Sequence, residues 1–225
     1  MTLNLQKITR KSRVAFDSKV DPIEKNRVLK KFASLLQKNK KKIIKENNKD
    51  IKFAKKKKIK DNLIKRLEID DKKINYIIKS INQIIKIKDP TNRILEKWKR
   101  PNGLIIKKVT VPIGVIAVIY ESRPNVTSDI ACLCFKSGNS VILRGGSEAF
   151  NTNKIISNLF RISLKNCGVD QNYVQFISSK NRNIVDKLLS KMKGYIDLIV
   201  PRGGKSLVKK VDELSTVPYI GHLEG

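Results

Sequence analysis

Apolar residues recur at helical spacing through the first hundred positions and then gather into short continuous runs, so the chain should change architecture partway along. Ile8, Val14 and Phe16 outline a weakly amphipathic first stretch. A second begins at Asp21-Pro22, where a carboxylate can cap the first amides and proline suits the first helical position. Val28, Leu29, Phe32, Leu35 and Leu36 follow on one face. Further helices are expected over about 43–58, 61–67 and 70–87, the last carrying Ile74, Ile77, Ile78, Ile81, Ile84 and Ile85. Asp89-Pro90 breaks the pattern, and Pro101-Asn102-Gly103 is a turn that could join two short strands within 91–108.

From residue 109 β-rich runs alternate with helical stretches. Strands are expected at 115–120, 140–143, 173–177 and 195–200, and helices at 127–137, 150–166, 182–193 and 204–213. Continuous apolar strands separated by helices of this length imply βαβ units and a parallel sheet buried on both faces. Gly138, Gly168 and Gly194 fall just after expected helices, where a left-handed cap is wanted. The reading is thus an α/β protein: a helical segment over 1–108 with short strands near its end, packed on an open parallel-sheet, Rossmann-type domain over 109–225. Ligands of such sheets sit at the carboxyl ends of strands, which singles out the turns after Tyr120, Leu143, Ile177 and Val200.

Composition narrows the class. The 225 residues are 40% hydrophobic, too apolar for wholesale disorder, and three Cys are too few for a disulfide framework. The longest clean apolar run, 113–119, is far short of a membrane span, and the basic first residues contain no apolar core of a secretory signal. A reducing, cytoplasmic setting is expected. The formal net charge is +29, and 32 of the 49 basic residues lie in the first 100 positions, densest between Lys38 and Arg66. Such a surface could bind polyanions with steep salt dependence. It is equally what a compositional bias toward Lys, Ile and Asn produces on solvated helix faces, and the lysine runs carry almost no aromatic residues for base stacking.

Three turns carry candidate chemistry. In YESRPNVTSD, 120–129, Pro124 fixes the backbone and presents Asn125 at a helix start. The Asn125 amide could donate to a developing oxyanion, or it could simply cap the helix. In LRGGSEAFNTN, 143–153, the amides of Gly145 and Gly146, the Ser147 hydroxyl and the Arg144 guanidinium form a plausible phosphate or ribose site; alternatively the glycines make a tight turn and Arg144 is solvated. PRGGKSL, 201–207, repeats the chemistry with Arg202, Gly203, Gly204, Lys205 and Ser206. Neither turn is a G-x-G-x-x-G fingerprint or a P-loop, yet two basic Gly-Gly turns at strand ends point to an anionic, nucleotide-like ligand.

Three segments, VPIGVIAVIYESRPNVTSDIACLCFKSGNSVILRGGSEAF at 111–150, YIDLIVPRGGKSL at 195–207 and STVPYIGHLEG at 215–225, resemble the gamma-glutamyl phosphate reductase (glutamate-5-semialdehyde dehydrogenase) family of the aldehyde dehydrogenase superfamily. EKNRVL at 24–29 and DNLIKRL at 61–67 extend the likeness to the N-terminal helices. The resemblance implies an aldehyde-dehydrogenase-like cofactor domain and NADPH-dependent reduction of L-glutamate 5-phosphate to the semialdehyde, the second step of proline biosynthesis. A cysteine would attack the acyl phosphate, phosphate would leave, and the thioester would accept hydride. By the same resemblance Asn125 takes the oxyanion-hole position, Arg144, with Gly145, Gly146 and Ser147, meets the adenosine ribose or the 2′-phosphate of NADPH, and Gly203 and Gly204 open the helix under the pyrophosphate. It also implies glutamate 5-kinase as a possible partner and homo-oligomers, and gives no reason to expect a metal, a membrane or a specific nucleic acid.

In the family the nucleophilic cysteine lies in a later catalytic domain, past the HLEG segment where this chain stops at Gly225. The chain therefore looks like the N-terminal half only, which is expected to be incompetent in the covalent step unless a C-terminal chain complements it. Cys132 and Cys134 sit in the apolar run ACLCF, and Cys167 precedes a helix-ending glycine, so none is expected to substitute. His222, the lone histidine, could be a general base or an ordinary polar contact. The alternative to an enzyme half is a basic polyanion-binding module on a degenerate scaffold.

Overall fold

Caps legible in the sequence organise the helical front of the chain. In the computed structural model, which describes residues 4–121 and 123–221, the Asp21 carboxylate accepts the Glu24 amide at 2.9 Å with Pro22 at the first helical position, and Asp70 accepts the Lys73 amide at 2.7 Å. The helices are α1 (Leu5–Asp17), α2 (Pro22–Lys38), α3 (Lys40–Lys56), α4 (Asp61–Leu67) and α5 (Asp71–Lys86). Strands β1 (Ile94–Lys99) and β2 (Ile105–Val109) then pair antiparallel across the expected 101–103 turn. His222 lies outside the described residues.

A four-stranded parallel sheet follows, in the order β5-β4-β3-β6, from β3 (Val115–Tyr120), β4 (Ser140–Gly145), β5 (Val174–Phe176) and β6 (Leu198–Arg202). Its crossover helices are α6 (Pro124–Lys136), α7 (Phe150–Asn166) and α8 (Asn183–Ser190), and α9 (Lys205–Leu214) leaves β6. Residues 218–220 add a short ladder outside β6, through Ile199 donating to Pro218 at 2.9 Å and Ile220 donating to Ile199 at 3.0 Å.

The period-2 rule divides the core. Ile116, Val118 and Tyr120 of β3 face one apolar cluster with α2, α5, α6 and α7, while Val115, Ala117 and Ile119 face another with α8 and α9. Leu5 of α1 belongs to the second cluster, so the first helix packs on the opposite face from α2 and α5. Ile74, Ile77, Ile81 and Ile84 of α5 are all buried, each side chain contributing roughly 1.5–3 kcal/mol of transfer free energy. Polar staples set the register between layers. Buried Asp50 of α3 accepts the Asn151 and Thr152 amides and the Thr152 hydroxyl at the start of α7, at 2.6–3.1 Å, and Lys25 of α2 reaches Asp89 at 2.9 Å.

Several boundaries differ from expectation. Helix α6 begins at Pro124, three residues before the expected start, because proline presets its φ for the first turn. The last strand runs Leu198–Arg202 rather than 195–200, since Tyr195 and Ile196 bond back to Met192 in a turn. Gly138 (φ +75°) and Gly168 (φ +74°) do terminate helices in the left-handed region, whereas Gly194 (φ +81°) turns the chain four residues past the end of α8. The lysines of the densest run, Lys41, Lys45, Lys49 and Lys52 among them, occupy exposed positions of α3.

Candidate functional site

The strand order determines where a ligand belongs. From β3 the chain moves outward to β4 and β5, then returns to place β6 on the other side of β3. The carboxyl ends of β3 and β6 therefore form the switch point of the sheet, the place where open α/β sheets leave a crevice. Glu121 and Arg123, ahead of α6, meet there with 203–204, leading into α9.

Glu121 ties these turns together. Its amide donates to Arg202 O at 3.1 Å, and its carboxylate accepts the Gly204 N–H at 2.6 Å. A Cβ built on Gly203 would stand 2.9 Å from Leu207 and 3.0 Å from the Glu121 side chain, and one on Gly204 would stand 3.4 Å from Glu121. Both glycines let an anion approach the amides that open α9, where unpaired donors and the helix dipole favour negative charge. In the free chain that anion is its own glutamate. Sequence reading assigned the turn to a bound phosphate and passed over Glu121, which lies 83 residues away along the chain.

The second Gly-Gly turn is arranged differently. Arg144 is part of β4, only 6% exposed, so the possibility that it is a solvated turn residue is excluded. Its guanidinium donates to Gly145 O, and its Nε has no hydrogen-bond partner among the described residues. Burial lowers its pKa, opposed by the Glu148 carboxylate. Gly145 is glycine for packing: a Cβ there would lie 2.2 Å from Asn153 Nδ2 and 3.0 Å from the Tyr120 ring. Gly146 and Ser147 are half-buried, and the Ser147 hydroxyl donates to Glu148 at 2.8 Å.

Asn125 is not the cap of α6. Arg123 holds that position in extended conformation, and Asn125 is the second helical residue, half-buried. Its amide bonds the carboxyl of Asp129, which also accepts the Ser80 hydroxyl at 3.3 Å. Burial pushes the Asp129 carboxyl above the usual carboxylate range, and these two hydrogen bonds recover only part of the shift. One turn on, Tyr120 OH, Thr127 Oγ1 and Asn153 Oδ1 form a buried chain at 2.7 and 2.9 Å that fixes α6 against β3 and α7. Burial pushes the Tyr120 phenol up.

Two cavities open beside these turns. One of about 200 Å³ is bordered by Asn125, Pro124, Ile69, Ile77 and Arg66. A neighbouring one of about 420 Å³ is bordered by Arg66, Leu67, Glu121, Arg123 and Glu148. Arg66 and Arg123 were not singled out from the sequence, since only the tertiary docking of α4 brings Arg66 beside Glu121, Arg123 and Asn125. Cys132 is fully buried with its thiol pushed up, and burial pushes Cys134 up to about 12. Cys167 is buried as well. Among the described residues no three His, Cys, Asp or Glu side chains gather where they could hold a metal ion.

Comparison with known proteins places this arrangement. No family model matches the chain. It is 48% identical over 201 residues to the gamma-glutamyl phosphate reductase of Thermoanaerobacter sp. (strain X514), covering 89% of this chain and 48% of that protein. The crystal structure of the gamma-glutamyl phosphate reductase of Thermotoga maritima superposes with a TM-score of 0.92 at 39% identity, over 96% of this chain and 52% of that one. A probable aldehyde dehydrogenase of Listeria monocytogenes (TM-score 0.72, 16% identity) and a glyceraldehyde-3-phosphate dehydrogenase of Methanocaldococcus jannaschii complexed with NADP (0.75, 12%) share the fold. The chain spans about half the length of the curated relatives it matches.

Proposed function

We propose that this chain, a relative in sequence and fold of the gamma-glutamyl phosphate reductases, supplies the nicotinamide-coenzyme site for NADPH-dependent reduction of L-glutamate 5-phosphate to L-glutamate 5-semialdehyde with release of phosphate. The observation that carries the reading is the α9 N-terminus at the sheet's switch point, where glycine backbone already holds a carboxylate at 2.6 Å. A dinucleotide's diphosphate offers the same negative charge and acceptor oxygens as the carboxylate that the Gly204 amide now binds.

The other residues fit the same ligand. Arg144 has a buried guanidinium with one donor unused, suited to the ribose or a 2′-phosphate, and Gly146 and Ser147 flank it at the edge of the sheet. Asn125, steadied by Asp129, can donate its amide to oxygen charge developing at the substrate carbonyl. When bound, the reduced coenzyme supplies hydride. The chain's part is to orient it, to yield the Glu121 contact at the Gly204 amide to the diphosphate and to hold the acyl group against Asn125. The covalent step needs a thiolate, and burial disfavours that form at Cys132 and Cys134. In this reading the nucleophile belongs to the half of the relatives that this chain does not match, joined to it or carried by a complementing chain.

Titration calorimetry with NADPH and NADH tests the coenzyme site. Saturable binding with a preference for NADPH that Arg144→Ala abolishes is expected. An Arg144→Ala chain with unaltered NADPH affinity removes the ribose-phosphate role, and no binding of either coenzyme removes the site itself.

A further inference from the structure

We propose that Arg66, with Arg123 beside it, recognises an anionic group of the amino-acid substrate proposed above. The inference rests on Asn125 being the donor at the reacting carbonyl and adds the residue that would hold the rest of the molecule. Arg66 borders both cavities next to that asparagine and is the residue their walls share. An anion held by its guanidinium in the smaller cavity would share that space with Asn125.

Three observations support recognition of an anion there. First, the Arg66 and Arg123 guanidinium groups form no hydrogen bond or ion pair among the described residues, while Arg13 is paired with Asp197 at 2.7 Å and Arg161 bonds Val174 O at 2.8 Å. Second, the acids around them are mostly engaged. Glu121 is bonded to Gly204 and Glu148 to Ser147, which leaves Glu68, on the wall of the smaller cavity, as a partner for a substrate ammonium. Lys73, on the same wall, spends its ammonium on the carbonyls of Lys65 and Glu68.

Third, the choice of cation is informative. The chain uses 38 Lys and 11 Arg, yet Arg66, Arg123, Arg144 and Arg202 are all arginine around the carboxyl ends of β3, β4 and β6. A sequence so inclined to lysine has arginine where a planar fork can grip carboxylate or phosphate through two bonds.

The test uses the full chain and the stable phosphonate L-2-amino-5-phosphonopentanoate as probe, titrated by calorimetry, with NADPH titrated separately and thermal melts on every variant. Arg66→Ala should weaken the probe at least tenfold and Arg66→Lys by an intermediate factor, while Lys65→Ala, the same charge loss one residue away, should change it less than twofold. NADPH affinity should stay within twofold in all three. Probe binding that ignores Arg66→Ala, that falls equally in Lys65→Ala, or that is absent from the wild-type chain overturns the proposal. Loss of NADPH binding by the wild-type chain would instead defeat the underlying coenzyme reading.

Discussion

Substituting Glu121 by Gln is the sharpest probe of the coenzyme site, because the chain's own carboxylate occupies the position claimed for the diphosphate. Gln keeps the length and the acceptor oxygen and removes only the charge. In the free chain the Glu121 carboxylate sits 2.6 Å from the Gly204 amide, at the positive end of a ten-residue helix. A charge at an exposed helix N-terminus contributes about 0.3–1 kcal/mol, and Glu121 is exposed enough that solvent screening holds it to that range. The coenzyme has to displace this contact, so wild-type affinity carries its cost. Glu121→Gln should therefore bind NADPH about two- to fivefold more tightly while losing no more than about 1 kcal/mol of folding stability. The gain should shrink as salt rises, because the interaction removed is between screened charges. Calorimetric or fluorescence titrations at two ionic strengths measure both quantities. Equal or weaker binding by the variant would refute the reasoning, since it would mean that the carboxylate and the coenzyme do not compete.

Three further outcomes follow from the packing. Asp50→Ala removes a buried carboxylate that takes four hydrogen bonds at the start of α7, and urea unfolding should show a loss of about 3 kcal/mol. Burial alone would raise the Asp89 carboxyl, but the Thr91 hydroxyl and amide and the Lys25 ammonium win and its pKa is lowered. Its contribution is thus complete above the usual carboxylate range and is lost as pH falls through the lowered folded value. Asp89→Asn should flatten that acid limb in pH-dependent melts, and an unchanged limb would show that other carboxyls dominate it. Gly145→Ala places a methyl group within 2.2 Å of Asn153 Nδ2 and should cost roughly 1–3 kcal/mol by thermal melt; a fully stable variant would show that Asn153 and Tyr120 can give way.

How much of this was legible beforehand depended on the range of the interaction concerned. The five N-terminal helices could be placed because their caps and apolar stripes are local: Asp21 and Asp70 both accept the amide three residues on. The sheet strands were found, β3 with both of its ends, but the ends of β4, β5 and β6 shifted, since a run buried on its faces offers few polar positions to mark a boundary. Thus 195–200 became Leu198–Arg202, where pairing with β3 rather than composition sets the register. The parallel sheet was legible, and its glycine turns do lie at the carboxyl ends of strands. What the glycines do there was not readable. Gly145 is small because Tyr120 and Asn153 fill its side-chain space, and Gly203 because Leu207 and Glu121 approach it. Identical dipeptides at equivalent turns thus answer to different neighbours, Tyr120 and Asn153 at one and Leu207 and Glu121 at the other.

The same distinction separates the residues that net charge marks from those that position the cavities. Net charge drew attention to the lysines of α3, whose side chains lie on exposed positions of a helix that docks through Ile43, Asn47, Asp50 and Ala54. These buried residues fix α3 against α4 and α7: Asn47 bonds the backbone of Leu67 and Ile69 at 2.7 and 2.8 Å, and Asp50 caps α7. That bracing holds the end of α4, and with it Arg66, beside Glu121, Arg123 and Asn125. The polar residues that shape the candidate substrate cavity are therefore not the numerous cations but two uncharged or acidic positions hidden beneath them. If that is the physical order of dependence, Asn47→Ala should loosen α4 without altering net charge. Amide exchange across 61–69 should then accelerate while α9 keeps its protection, and uniform acceleration through both would show that α4 is held by the global fold and not by this contact.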